Sequence, residues 1–433
     1  MAPLTRPWCL SALLCLGAGL PAGCRSGPPG RPAAGLAGAD LEAQQVQADL
    51  AAANEGPGPR LSLVATGSVA GVRVEQYRLG EASDVVLLPD PAARAVTVQV
   101  WLQRGWADDP PGARGRAEAW AHHGWAAPVP APARRWVGVT RDLSAAVAVG
   151  APPQLPELVD WATAPWRAAG PTPAPPKEAG PGALRRRLRR TWVEVLSSGG
   201  KVACDRPGPS LWVVAGPVSR TSTLRALRRA APTTAGCPAA ALLAVVGPRA
   251  PVEVRAEGEA RVALLGWSLP SADPAGLAHL RALALLLGGP TRRLAPALEA
   301  AHLPGLELLT EVGPRGRALE VFAALGPTAT ATTAAAQVRA QLTEIGRGAT
   351  TGLQLEQVQA SLRADALRSW ASLEGRGQLV AELLLADGEG TVADRVAAYL
   401  TAAQAPAEVD LRALARKLAQ RPPVLVVGQE DAP

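Results

Sequence analysis

His122 and His123 stand near the end of the stretch GRAEAWAHHGW (residues 115–125) and are two of the chain's four histidines. The stretch follows an acidic turn, ADDPPGAR, and opens a helix by its composition; together they have the outline of a metal-binding helix. Donors at i and i+4 on a helix share one face and can reach one ion. Other chemistry is sparse. Neither a G-x-x-x-x-G-K-[ST] phosphate loop nor a G-x-S-x-G nucleophile elbow occurs. With so few histidines a Ser–His or Cys–His site has few options, and His279 and His302 sit in apolar helical context.

These residues must be positioned by a large body. The 433 residues, 48% of them hydrophobic, predict two or three domains with sizeable cores. Basic charge is nearly all arginine, since Lys177, Lys201 and Lys417 are the only lysines, and the net charge is a modest +7. The tightest basic cluster is Arg185, Arg186, Arg187, Arg189 and Arg190, in LRRRLRR. It reads as a patch for nucleic acid or anionic lipid, or more plainly as a solvated helix face interrupted by Leu188. No nucleic-acid partner is expected.

The N-terminus, MAPLTRPWCLSALLCLGAGLPAGC, has one early arginine, an apolar run from Trp8 to Leu20, and then small residues. That is a secretory signal pattern, too short to span a bilayer. It ends on Cys24 after Ala22 and Gly23, which resembles a bacterial lipoprotein cleavage box with Pro21 where leucine is usual. The expectation is an exported chain lipidated at Cys24, held to the membrane by that anchor only. Arg25, rather than an aspartate, follows the cysteine and favours the outer membrane over the inner, on the periplasmic side. Export leaves Cys204 and Cys237 as either a disulfide or two buried thiols. With no CxxC or nearby histidine they are not a zinc pair.

The expected organisation is a signal segment (1–24), a Gly/Pro/Ala-rich tether (25–60) and two halves, 61–238 and 239–433, joined near 238–250. The tether includes a helical stretch, DLEAQQVQADLAAA. In the first half, alternation predicts strands at Val72–Leu79, Val85–Pro89 and Val96–Gln103. The 115–125 helix, a strand over WVGVTRDLSAAVAVG and a helix over LPELVDWATAPW follow. A Pro-rich loop at 170–182, a basic helix and the strand SLWVVAGPV complete it. The second half runs from strand ARVALLGWSLP to helix LAHLRALALLLGG and helix RRLAPALEAAHL, then strands GLELLTEVG and ALEVFAALG. Four helical stretches and a closing helix–strand unit end the chain. VQVWLQRGWADDPPGARGRAEAW echoes VALLGWSLPSADPAGLAHLRALA, each an apolar strand, an Asp-Pro turn and a helix. Two units of roughly 190 residues in the same order suggest duplication. Strands in runs and helices in runs predict α+β layers.

This ordered series resembles the insulinase (pitrilysin) family of zinc metallopeptidases over roughly Val72 to Gly428. WLQRGWADDPPGARGRAEAWAHH matches the family's strand, turn and G-L-A-H-F-L-E-H helix. VTRDLSAAVAV, LWVVAGPV, LGGPTRRLAPALEA and the closing VLVVG match later family strands and the L-G-G-x-x-S-R-L helix. The resemblance implies two homologous α+β domains, each a mainly antiparallel sheet packed with helices on one face. In active members H-x-x-E-H holds zinc with its two histidines, while the glutamate is the general base.

Laid on this chain, the first histidine position is Glu118, the base is Ala121 and the second histidine is His122. Glu118 and His122 are weak zinc candidates, since carboxylates also ligate; Ala121 accepts no proton. The third family ligand, a later glutamate, has only Glu178 and Glu194 nearby. The family's substrate-holding Arg and Tyr fall on Glu299 and Leu306. Arg293 matches the arginine of S-R-L and is expected to order a helix start, and Gly288–Gly289 a helix C-cap. The resemblance therefore implies a non-catalytic lipoprotein without cofactor. Its expected role is the inactive partner of an active zinc subunit, or a peptide-binding shell. A divergent active metallopeptidase and a stand-alone envelope scaffold are the alternatives.

Overall fold

A computed structural model describes residues 34–81, 83–109, 115–167, 183–196, 210–231, 252–256, 261–270, 273–289, 305–313, 316–326, 328–385 and 389–430, with Arg293, Leu294 and Pro296. The chain divides into two units between Gln47 and Ala48, and both sheets belong to the second. Helix α1 (Ala34–Ala53) runs from the first unit into the second.

The first sheet holds seven strands: β1 (Leu61–Val69), β2 (Val72–Leu79), β3 (Ser83–Pro89), β4 (Val96–Leu102), β5 (Arg134–Val139), β6 (Ser144–Gly150) and β7 (Ser210–Gly216). Their order is β1-β2-β3-β7-β4-β6-β5. The second sheet holds β8 (Val252–Ala256), β9 (Val262–Leu269), β10 (Gly305–Gly313), β11 (Gly316–Ala324) and β12 (Val424–Glu430), in the order β10-β11-β9-β12-β8. One pair in each sheet is parallel, β3 with β7 and β8 with β12; every other pair is antiparallel. From that pair outward the sheets read alike, with β7, β4, β6, β5 matching β12, β9, β11, β10. The fold is α+β, and the shared strand order is the structural form of the internal echo.

Strand character follows depth. Every residue of β4 (VTVQVWL) and β7 (SLWVVAG) is buried, as expected where both faces of a sheet are covered. Edge strand β1 instead alternates between exposed and half-buried positions, with only its two end residues buried. It turns into β2 through Ala70 (φ 47°) and Gly71 (φ 78°), the two left-handed residues that a tight hairpin uses.

Helices α2 (Arg116–Gly124), α3 (Leu155–Ala162), α4 (Ala164–Arg167) and α6 (Arg220–Ala230) belong to the first half. α2, α3 and α6 share a core with one face of the first sheet, through Trp120, Leu158 and Leu224 against Leu87, Val98 and Trp212. Helices α7 (Pro274–Gly288), α8 (Ala331–Gly346), α9 (Gly352–Ala371) and α12 (Glu408–Gln420) belong to the core on one face of the second sheet. The remaining helices cross over. α5 (Ala183–Leu196), from the first half, lays Leu188 and Trp192 on Leu264, Phe322 and Val426 of the second sheet. α10 (Leu373–Leu385) and α11 (Val392–Gln404), from the second half, pack on the first sheet, α10 against β4 and β7, α11 against β1 and β2. Gln99 of β4 donates to the Glu374 carbonyl at 2.9 Å, and Arg376 of α10 donates to Asp90 at 2.7 Å.

Four expectations change. WVGVTRDLSAAVAVG is a hairpin, β5 and β6, rather than one strand. Its turn is closed by the Thr140 amide donating to the Leu143 carbonyl at 2.7 Å, with the Arg141–Asp142 ion pair buried inside. LPELVDWATAPW breaks at Thr163, whose hydroxyl donates to the Asp160 carbonyl at 2.8 Å. Strands β1 and β8 went unread. The tether does not extend to residue 60, because residues from Ala48 onward belong to the body. Asp49 accepts from Arg220 and Thr221, and Asn54 exchanges two bonds with the Leu61 backbone at 2.9 Å. Arg228 turns all five of its N–H donors on carbonyls of Ala53, Glu55, Gly56, Gly58 and Pro59. Cys24, Cys204, Cys237, the 170–182 loop, the 238–250 junction and nearly all of RRLAPALEAAHL lie outside the described residues.

Candidate functional site

The site is assembled at the end of β4. The chain passes Gly105, where a Cβ would lie 2.3 Å from the Arg141 carbonyl oxygen, so only glycine admits this approach. One 3-10 turn, Trp106–Asp108, leads to Asp109. The buried Asp109 carboxylate accepts from the amides of Gly115 and Ala117, each at 2.7 Å, and so satisfies the start of α2. Asp273 does the same for α7, accepting from the Gly276 amide at 2.7 Å. Both Asp-Pro turns of the internal echo thus supply an aspartate to a helix start, Asp273 as the N-cap of α7 and Asp109 from six residues ahead of Gly115, the N-cap of α2.

Glu118 stands in the first turn of α2, where the helix dipole favours a carboxylate. Its carboxylate accepts from the guanidinium of Arg190 on α5. Gly115 makes room for that guanidinium, since a Cβ there would sit 2.8 Å from Nη1. His122 follows one turn later, its Nε2 3.9 Å from Glu118 Oε1 and its side chain 55% exposed. His123 is exposed. Ala121 is fully buried, its methyl packed in the core with Trp120 and Trp125.

The arginines around this site form a layer. Arg189 pairs with the buried Glu320 of β11 at 2.7 Å and lies 4.9 Å over the Trp106 ring. Arg185 pairs with Glu307 of β10, and Arg104 lies 4.5 Å over the Trp120 ring. LRRRLRR is thus only partly solvated: Arg185 is exposed, Arg186, Arg187 and Arg189 are half-buried and Arg190 is buried. Arg185, Arg189 and Arg190 are ion-paired to both halves of the molecule. The signal that could have found this is the apolar stripe Leu184, Leu188, Trp192, Leu196, at four-residue spacing on the same helix.

A structural zinc site takes four protein ligands and a catalytic one three. Among the described residues no three His, Cys, Asp or Glu side chains gather in a metal-holding group. Glu118 already has a fixed cation against it, and a second cation would be repelled. Ala121 offers no base, and Glu194 lies on α5, one turn past Arg190. The donor set does not fit the zinc that the resemblance implies.

The second-half positions separate. Arg293 donates to Gln341 at 3.0 Å and to the Ala349 carbonyl at 2.7 Å, fastening the α8–α9 connection. Gly289 ends α7, its amide donating to the Leu285 carbonyl at 2.8 Å. With Gly288 it lines a cavity of about 540 Å³ over Arg281, Glu382 and Tyr399. His279 lies 3.7 Å from Asp410. Leu306 is on β10, while Glu178, Glu299 and His302 lie outside the described residues.

No protein-family model matches the chain, and no curated protein matches it in sequence. Solved structures do. An M16-like peptidase from Alicyclobacillus acidocaldarius aligns with TM-score 0.59 at 12% identity, over 85% of this chain and 100% of that one. A peptidase M16 inactive domain from Pseudomonas fluorescens aligns with TM-score 0.59 at 14% identity, over 83% and 98%. A protease from Helicobacter pylori aligns with TM-score 0.57 at 12% identity, over 86% and 100%. At such identities likeness speaks for architecture alone, and the architecture of this chain is the M16, or insulinase-like, peptidase fold.

Proposed function

We propose that this chain is a non-catalytic member of the insulinase-like fold, exported and lipid-anchored at Cys24, serving as the inactive partner of an active zinc subunit. The observation that carries the reading is the Arg190–Glu118 pair beside Ala121. A guanidinium occupies the carboxylate that a metal would need, and a methyl stands where the base would be. The chain keeps the scaffold that positions the site, down to the Asp109 cap, and lacks its chemistry. Peptide handling is then shared with a second chain that supplies the metal. Purification from the native host tests this: an insulinase-like chain carrying H-x-x-E-H should co-elute, and its consistent absence sinks the heterodimer. The pure protein should carry no stoichiometric zinc and cleave no peptide; zinc-dependent cleavage would instead establish a divergent peptidase.

One observation favours a stand-alone peptide-binding role as the second reading. β5 is a sheet edge with a neighbour on one side only among the described residues, and Trp136 on it is 54% exposed. An edge of this kind can accept an extended segment as an added strand. A monomeric native mass together with saturable peptide binding would support it over the heterodimer.

A further inference from the structure

Helices α8 and α12 meet along a seam, and the pair carries six cations. Arg339 and the C-capping Arg347 belong to α8; Arg412, Arg416, Lys417 and, just past the helix end, Arg421 belong to α12. The helices lie antiparallel in contact. A Cβ on Gly346 would sit 2.6 Å from Arg416 Cγ, and one on Gly348 2.9 Å from Arg412 Cζ. At the other end Arg339 donates to the Ala419 carbonyl at 3.2 Å. Arg412 and Arg416 therefore stand beside the end of α8 that carries Arg347, and Arg339 beside the end of α12 that precedes Arg421.

Local acids do not neutralise them. Glu408 pairs with Arg412 at 2.5 Å, Glu344 is taken by Arg293 and Asp410 faces His279. Among the described residues no carboxylate pairs with Arg339, Arg347, Arg416, Lys417 or Arg421. In an antiparallel pair each helix C-terminus lies beside its neighbour's N-terminus, so the dipole ends offset. Six cations less Glu408 and Asp410 leave four positive charges. Val409, 65% exposed, stands seven residues before Arg416 on the same face of α12, so an apolar side chain accompanies the basic ones. Neither helix contains an aromatic residue, so the stacking platform of a single-strand nucleic-acid binder is missing.

We propose that this seam docks on the anionic surface of a phospholipid bilayer, its cations on headgroup phosphates and Val409 at the interface. The choice of a bilayer rests on the reading of Cys24 as a lipid anchor, which would hold the body within reach of headgroups. Docking by the seam would then set which face of the molecule turns toward the membrane.

The test uses the full chain carrying Cys24→Ser, so that no acyl group drives binding. It is sedimented with vesicles of phosphatidylglycerol and phosphatidylethanolamine, and separately with phosphatidylcholine vesicles. Binding should appear on the anionic vesicles only and weaken steeply with salt. Adding Arg416→Glu and Lys417→Glu should lower the partition coefficient about tenfold or more, with the melting temperature unchanged. Equal binding to both vesicle types, or unchanged binding of the charge-reversed chain, overturns the proposal. So does retention of a single-stranded oligonucleotide with no vesicle binding, which assigns the seam to nucleic acid. Labelled fatty-acid incorporation into the chain with Cys24 intact is scored separately. Its failure removes the anchor and leaves the vesicle result to stand by itself.

Discussion

Arg190 of α5 holds the carboxylate of Glu118 of α2, across 72 residues of sequence. Arg190 is buried and Glu118 nearly so, which makes the pair a structural device with a measurable weight. Arg190→Met should destabilise the protein by about 2–3 kcal/mol, because it strands a largely desolvated carboxylate. Adding Glu118→Gln should recover much of that loss. A double-mutant cycle by denaturant unfolding reads the coupling, and additive effects would show that the two residues are independent.

Restoring the family's base is expected to fail. Ala121→Glu pushes a carboxylate into a core lined by Trp120 and Trp125. A loss of about 2–4 kcal/mol should follow, seen as a lower melting temperature. Neither zinc uptake nor peptide cleavage should appear, and metal analysis with a peptide assay checks both.

The pH dependence of stability should trace to Glu75. Burial alone would raise its pKa, but bonds from Arg220 and Tyr77, with Arg220 and Arg73 close by, hold it below the ordinary 4.5. A carboxyl depressed in the folded state stabilises fully above its unfolded pKa and loses that contribution as pH falls through the folded value. The stability gap between wild type and Glu75→Gln should therefore be flat above about pH 5 and shrink below it. Asp90, depressed by the bond from Arg376, should act in the same direction where α10 meets the first sheet. Chemical denaturation at stepped pH measures both.

The crossing of α5 onto the second sheet can be probed at one glycine. A Cβ on Gly266 of β9 would lie 2.1 Å from Trp192 Nε1. Gly266→Ala should cost about 1–3 kcal/mol by overpacking. Pairing it with Trp192→Phe, which is smaller, should cost less than the two changes summed. A simple sum would place the strain elsewhere.

The readable elements were those with strong local periodicity. β2 was legible to its end residues because Val72–Leu79 alternates apart from one phase shift at Glu75–Gln76, and the Asp-Pro turns announced both helix starts. What failed was set by tertiary pairing. The β5–β6 turn is held by the buried Arg141–Asp142 pair, which no local rule marks as a break. β8 is five residues long and exists through its pairing with β12. Register against the family motif located Glu118, Ala121 and His122. It could not show that an arginine 72 residues on would close over Glu118, because that contact depends on α5 crossing between sheets. The arginines of LRRRLRR read as surface for the same reason: their partners, Glu118, Glu307 and Glu320, lie on separate elements far away in sequence.

Arg228 grips five carbonyls between Ala53 and Pro59, and so gives the molecule a mechanical stop. Tension applied to the chain ahead of Ala48 would load those bonds and the Asp49–Arg220 pair before reaching β1. The load would pass into α6, and through it into the middle of the first sheet. The edge strand β1 is thereby spared peeling, the geometry in which sheet hydrogen bonds break one at a time.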